Sequence, residues 1–252
     1  MSSKILALCA VASVSAAALG VTAVSAAAPA AYVAASVANP DRSEADKALD
    51  ASRHPAEILA FAGVKPGDKV VDIFPGGGYT TRLFSNVVGP KGKVYAVAPP
   101  GPMADRMKAV AENPKFSNIT FVAAPLDAIA PPEKVDVVWT SQNYHDFAMP
   151  KSPFGTIDIA KMNKAIYDAL KPGGLYVITD HAAAAGTSLE DTQKLHRIDE
   201  ALVKKQVLAA GFRFDGESNV LKAADDPHTA PVFDGAVKGK TDKFALKFRK
   251  PN

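Results

Sequence analysis

The sequence predicts an α/β protein, a mostly parallel sheet covered on both faces by helices. Two observations predict it. From residue 56 onward, short apolar runs alternate with stretches of helical spacing, the signature of strand–helix–strand units. The first run, Val70 to Phe74, breaks at Pro75-Gly-Gly-Gly78 and resumes at Leu83, Phe84, Val87 and Val88. That is strand, tight glycine turn, helix.

The elements follow in order. Residues 27–40 are rich in Ala and Val and read as a loose lead-in. Ser43 suits a helix cap, with Asp46 three residues on, for a helix to about Ala51. Pro55 suits the first turn of a second helix, 55–62, with His54 beside it as a structural residue. A turn over 63–68 leads into the first strand. After the glycine-loop helix, 93–97 is a second strand and 103–112 a helix. Residues 119–123 form a third strand, followed by Asp127. Residues 135–140 form a fourth, with Asn143-Tyr-His-Asp146 beyond its end. A helix over 156–170 closes at Lys171-Pro-Gly-Gly174, and 175–179 is the fifth strand, ending at Asp180-His181. Residues 187–210 read as one long helix stopping at Gly211. A sixth strand starts at Phe212, a polar loop spans 222–241, and 243–248 reads as a half-exposed edge strand. No helix separates the last two strands, so that edge is expected to be an antiparallel hairpin.

Composition narrows the function classes. At 252 residues, 48% hydrophobic and 22% charged, the chain can bury a sizeable core. Net charge is +3 and no Lys/Arg patch is interleaved with aromatics, so nucleic acid is not an expected partner. Lys4 precedes a long uncharged Ala/Val/Leu run with small residues at 24–27. Residues 1–26 therefore read as a secretory signal peptide cut near Ala26 or Ala27. The run is long enough to be a membrane anchor, but its Ala-richness and cleavage sites favour removal. The expected organisation is a leader at 1–26, an N-terminal lead-in and helix at 27–55, and one domain at 56–252, exported to the periplasm without stable membrane insertion. Cys9, the only cysteine, falls in the leader. The mature chain then has no disulfide, thiolate metal site or cysteine nucleophile.

Gly63-Val-Lys-Pro-Gly-Asp-Lys-Val-Val-Asp72 followed by Pro75-Gly-Gly-Gly-Tyr79 resembles the opening of class I S-adenosylmethionine-dependent methyltransferases. Gly92-Lys-Val-Tyr-Ala-Val97 is similar to their second strand, and Leu170-Lys-Pro-Gly-Gly174 and Ala209-Ala-Gly-Phe212 to two of their turns. The resemblance covers about residues 56–250. The Gly-Gly-Gly-Tyr loop, Tyr144-His-Asp146, Asp180-His181 and His196-Arg-Ile-Asp199 resemble an exported subgroup of that family. The implied fold is a three-layer, Rossmann-like, seven-stranded sheet with an antiparallel edge strand, and the implied cofactor is S-adenosyl-L-methionine. Its implied site comprises Asp72, the loop Pro75, Gly76, Gly77, Gly78 and Tyr79, and Asp127 at the adenine amine, where a carboxylate can only accept. Phe74 stands at the family's first loop glycine, and Ala98 where a carboxylate normally holds the ribose hydroxyls.

Methyl transfer from a sulfonium is a displacement, so the protein mainly aligns the acceptor, and a base helps where the acceptor is a hydroxyl or amine. Tyr144, His145 and Asp146 after the fourth strand, and Asp180 and His181 after the fifth, are the expected catalytic residues, with His145 or His181 as base. Asn143, His196 and Arg197 are expected at the acceptor, Arg197 as an anion contact. No His-x-x-x-His spacing is present and no metal ligand set is expected. The acceptor implied is a small molecule or an envelope component. The alternative is a methyltransferase-like protein that binds a nucleoside-like ligand without transfer. A nicotinamide dehydrogenase is disfavoured because its glycine pattern is absent.

Overall fold

A computed structural model describes residues 29–252; the leader expected at 1–26 lies outside the described residues. The strands are β1 (Lys69–Ile73), β2 (Lys93–Ala98), β3 (Ile119–Ala123), β4 (Val135–Ser141), β5 (Leu170–His181), β6 (Arg213–Ser218) and β7 (Lys243–Arg249). They form one seven-stranded sheet in the order β3-β2-β1-β4-β5-β7-β6. β1 to β5 pair in parallel, and β7 is antiparallel to both β5 and β6. The helices are α1 (Ala31–Val37), α2 (Glu44–Lys47), α3 (Asp50–Arg53), α4 (Pro55–Ala62), α5 (Tyr79–Val88), α6 (Pro102–Ala111), α7 (Tyr144–Ala148), α8 (Ile159–Ala169), α9 (Leu189–Leu195) and α10 (Glu200–Ala209).

Alternation along each strand sends neighbours to opposite faces. Val70, Val94, Val137 and Val177 pack with α1, α4 and α5 on one face. Val71, Val97, Val138 and Ile178 pack with α7, α8 and α10 on the other. Each such side chain contributes about 1.5–3 kcal/mol by leaving water. Both faces are thus fixed by the central strands, and the strands' C-terminal ends share one edge.

Four local expectations change. The lead-in is not loose, because α1 docks on α5 and the buried Ser36 Oγ donates to the Leu83 carbonyl at 2.9 Å. The helix from Ser43 is two short helices; Ser43 does cap the first, accepting from the Asp46 amide at 3.1 Å. The long helix at 187–210 is broken at His196 (φ 52°), where Ile198 bridges to Ala182 beyond the end of β5. Apolar spacing survives such a break, so the sequence pattern does not reveal it. Last, 243–248 is not the half-exposed edge: β7 lies one strand in and is mostly buried, and β6 takes the edge. Among the described residues no helix is long and apolar enough to cross a membrane.

Candidate active site

The site is built at the C-terminal edge of the parallel strands, where open α/β sheets bind ligands. β1 runs into the loop 74–78. Phe74 adopts φ 53°, the left-handed conformation a glycine takes freely. Its ring turns into the core and packs at 4.2 Å on Phe154 and 6.5 Å on Phe147. The side chain therefore does not crowd the loop, as its size in the sequence suggests. Gly76 and Gly78 also have positive φ, 57° and 79°. A Cβ on Gly78 would meet Val110 at 2.8 Å, so close packing excludes larger residues there. A Cβ on Gly76 or Gly77 would project into open space, so a ligand can reach the backbone at both.

Asp72 closes the inner wall and is 2% exposed. Burial pushes its carboxyl up to about 7, against a 2.7 Å hydrogen bond from Thr81 Oγ1 that favours the charged form. Asn143 donates to the carbonyls of Phe74 at 3.1 Å and Ser141 at 2.7 Å, tying the end of β4 to the glycine loop. Pro75, Gly76, Gly77, Tyr79, Asp72 and Asn143 line one pocket of about 310 Å³.

The N-terminal segment supplies the remaining wall. Arg53 lies 4.5 Å over the Tyr79 ring and lines the same pocket. Burial lowers its affinity for a proton, and among the described residues its guanidinium has no hydrogen bond or ion pair. Tyr79 donates to Asp50 at 2.7 Å, and Arg42 pairs with the same carboxylate. Arg82 pairs with Asp46 at 2.6 Å and donates to the Gly77 carbonyl at 2.8 Å. The segment is thus tied to the glycine loop by charge-assisted bonds. Sequence reasoning missed Arg53 and Thr81. Thr81 could have been read from its place one turn into the glycine-loop helix; nothing in the sequence puts Arg53 here.

The sequence-predicted residues divide into groups. Asp127 sits half-buried on a single turn after β3, with no hydrogen-bond partner among the described residues. Ala98, at the end of β2, is fully buried and its side chain presents no acceptor. Tyr144 is in the core, its hydroxyl bonded to Asn163 at 2.9 Å and Gln206 at 3.1 Å. Arg197 is also fully buried: its guanidinium pairs with Asp226 at 2.6 Å and donates to the carbonyls of Ala182 and Ala230. The structure does not bring either side chain to the pocket.

His145, Asp146, Asp180, His181 and His196 do come together, at the C-terminal ends of β4 and β5. Asp180 accepts from the backbone amides of His145 and His181 and from His145 Nδ1, all at 2.7 Å. These partners outweigh burial and hold its carboxyl below the usual range. Burial opposes charge on His145, yet Asp180 and Asp146 raise it to about 10. Burial lowers His181 to about 4. His181 Nδ1 lies 2.8 Å from the Thr241 hydroxyl, while its Nε2 has no partner among the described residues. His145 Nε2 lies 3.2 Å, and His196 Nδ1 3.1 Å, from the same oxygen of Asp146.

A parallel sheet in this order, with a glycine loop and a buried acid opening on a pocket at its C-terminal edge, defines a small-ligand-binding α/β domain. The family described as a methyltransferase domain matches residues 64–225, and the chain belongs to it. The chain is similar to a protein-L-isoaspartate O-methyltransferase of Ignicoccus hospitalis, 24% identical over 172 residues, 67% of this chain and 72% of that protein. In structure it is similar to a SAM-dependent methyltransferase from Aquifex aeolicus (TM-score 0.58, 22% identity, 81% of this chain and 96% of that one). It is also similar to an N-methyltransferase, NodS, from Bradyrhizobium japonicum (TM-score 0.56, 12% identity, 82% and 99%). At these identities the structural likenesses establish the shared fold.

Proposed function

We propose that the protein transfers a methyl group from S-adenosyl-L-methionine to a small-molecule or envelope acceptor. The family supports the reaction class. The observation that carries the reading is the pocket, where a buried acid, an open glycine backbone and an arginine unpaired among the described residues face one cavity. Those groups fit the amino-acid end of the cofactor. Arg53 suits a carboxylate, because a guanidinium offers a planar pair of donors. Asp72 suits an ammonium group and Asn143 keeps its amide oxygen free to accept. Asp127 is assigned to the adenine amine at the other end.

The cofactor, when bound, supplies an electrophilic methyl group. The chain's own residues then orient the acceptor and hold its proton. Both ring nitrogens of His145 face carboxylates, whereas His181 Nε2 has no partner among the described residues. We therefore assign the base to His181 rather than His145. Reading residues 1–26 as a secretory leader supports an envelope acceptor. Periplasmic protein should begin near residue 27; cytosolic protein retaining Met1 would remove that support.

The test is calorimetric titration of the protein with S-adenosylmethionine and S-adenosylhomocysteine. Micromolar binding is expected, weakened about tenfold to a hundredfold in Arg53→Ala, the range for losing a charge-assisted hydrogen bond. Absence of binding at millimolar ligand would overturn the proposal.

A further inference from the structure

The geometry points to a divalent transition-metal site formed by His145 Nε2, Asp146 Oδ1 and His196 Nδ1. Each of these three residues offers a donor atom within 4.8 Å of the others. Each nitrogen is 3.1–3.2 Å from the carboxylate oxygen. Ligands about 2.0–2.2 Å from a tetrahedral ion stand about 3.3 Å apart, so these spacings are those of neighbours around a common centre.

Lone pairs decide what belongs there. Asp180 is fully buried and already accepts two backbone amides. Its contact with His145 at 2.7 Å therefore takes the Nδ1 proton. That fixes the proton on Nδ1 and makes Nε2, 3.2 Å from Asp146, the nitrogen that gives up its proton to a metal ion. His196 Nδ1 lies 3.1 Å from the same oxygen. One cation between them satisfies all three groups at once. A buried carboxylate holding the far nitrogen of an imidazole is also the usual outer support of a metal-bound histidine.

The backbone supports the same reading. His196 takes the left-handed conformation, φ 52°, unfavourable for a residue with a Cβ. That conformation ends α9 and places the ring 5.5 Å from His145. Asp146 and His196 are only partly buried, so an ion can enter, with the exposed Phe233 ring 4.8 Å from His196 at the rim. Two imidazoles and one carboxylate suit Zn²⁺ or a neighbouring first-row ion, not the all-oxygen coordination of Mg²⁺ or Ca²⁺. Three protein ligands leave a further position for water or an oxygen of a small ligand. The inference is independent of the methyl-transfer reading, which rests on the glycine-loop pocket.

The untagged full chain, stripped with a chelator, is titrated with ZnCl₂ against a chromophoric competitor. One Zn²⁺ per chain is expected, and Zn²⁺ should raise the melting temperature. His196→Ala and Asp146→Asn should each weaken binding by about a hundredfold or more and abolish the melting shift. Asp180→Asn, which removes no ligand, should weaken it by about tenfold to a hundredfold. Circular dichroism establishes that each variant is folded, and His196→Gln replaces His196→Ala if the latter is not. No stoichiometric binding to the wild-type chain overturns the proposal. So does Zn²⁺ binding that survives intact in the folded His196 and Asp146 variants, since the ion then sits elsewhere.

Discussion

Asp72 ties the pocket to the stability of the molecule. Burial raises its carboxyl from the ordinary 3.8 to about 7. Between these values the unfolded chain has released the proton and the folded chain still holds it. This group's contribution to stability therefore falls as pH rises from about 4 to about 7, then levels off. Asp72→Asn should remove that slope. Urea unfolding of both proteins at pH 4.5, 6 and 8 tests this: the variant should gain on wild type as pH rises, and a constant difference would contradict it. Phe74 sets two effects against each other. Phe74→Gly relieves about 1–2 kcal/mol of left-handed strain but loses the ring contacts with Phe147 and Phe154, worth about 3–5 kcal/mol for a buried aromatic. Packing wins, and a net loss of about 2 kcal/mol is expected in the same unfolding assay.

At the scale of elements, the break between α9 and α10 is held by Arg197. Its side chain reaches Asp226 in the 222–241 loop and two backbone carbonyls. Asp226 also accepts the Asp242 amide at 2.6 Å, just before β7. One buried pair thus joins the helix break, the loop and the sheet. Arg197→Met leaves Asp226 buried without its partner, and destabilisation of about 3–5 kcal/mol is expected. Because this is a fold effect, the Kd for S-adenosylhomocysteine measured on the still-folded fraction should change little. A large loss of affinity at unchanged stability would instead make Arg197 a ligand contact.

At the scale of the molecule, the ligand pocket is closed by chain distant in sequence. Residues 42–50 lie against the first turn of α5 through Asp46–Arg82 and the Arg42–Asp50–Tyr79 set, and Arg82 reaches on to the loop at the Gly77 carbonyl. The short helices α2 and α3 have few turns of their own, so their order rests on those contacts. A ligand bridging Arg53 and Asp72 should add to them. Amide hydrogen exchange over 42–54 is expected to slow on binding S-adenosylhomocysteine, while the core of β4 and β5 is unchanged. Equal exchange with and without ligand would mean that the segment takes no part in closing the site.

Local patterning was enough to define the sheet-and-helix alternation, the glycine turn after β1, and the chemistry gathered at the ends of β4 and β5. These depend on periodicity and on turn residues that act over a few positions. The Phe74 conformation, the break at His196, the burial of Tyr144 and Arg197, and the place of β7 inside the sheet were not legible. Each depends on which surfaces meet after long stretches of chain have been brought together. The same holds for the two most informative contacts. Arg53 reaches a pocket whose floor begins about twenty residues later in the chain, and His196 meets Asp146 across fifty positions. The sequence by itself determined the class of fold and the edge of the sheet that bears the site. The tertiary structure alone decided which charged groups face the pocket, which are consumed in buried pairs, and which histidines share one carboxylate, because burial and distance set those choices and neither is a local property of the chain.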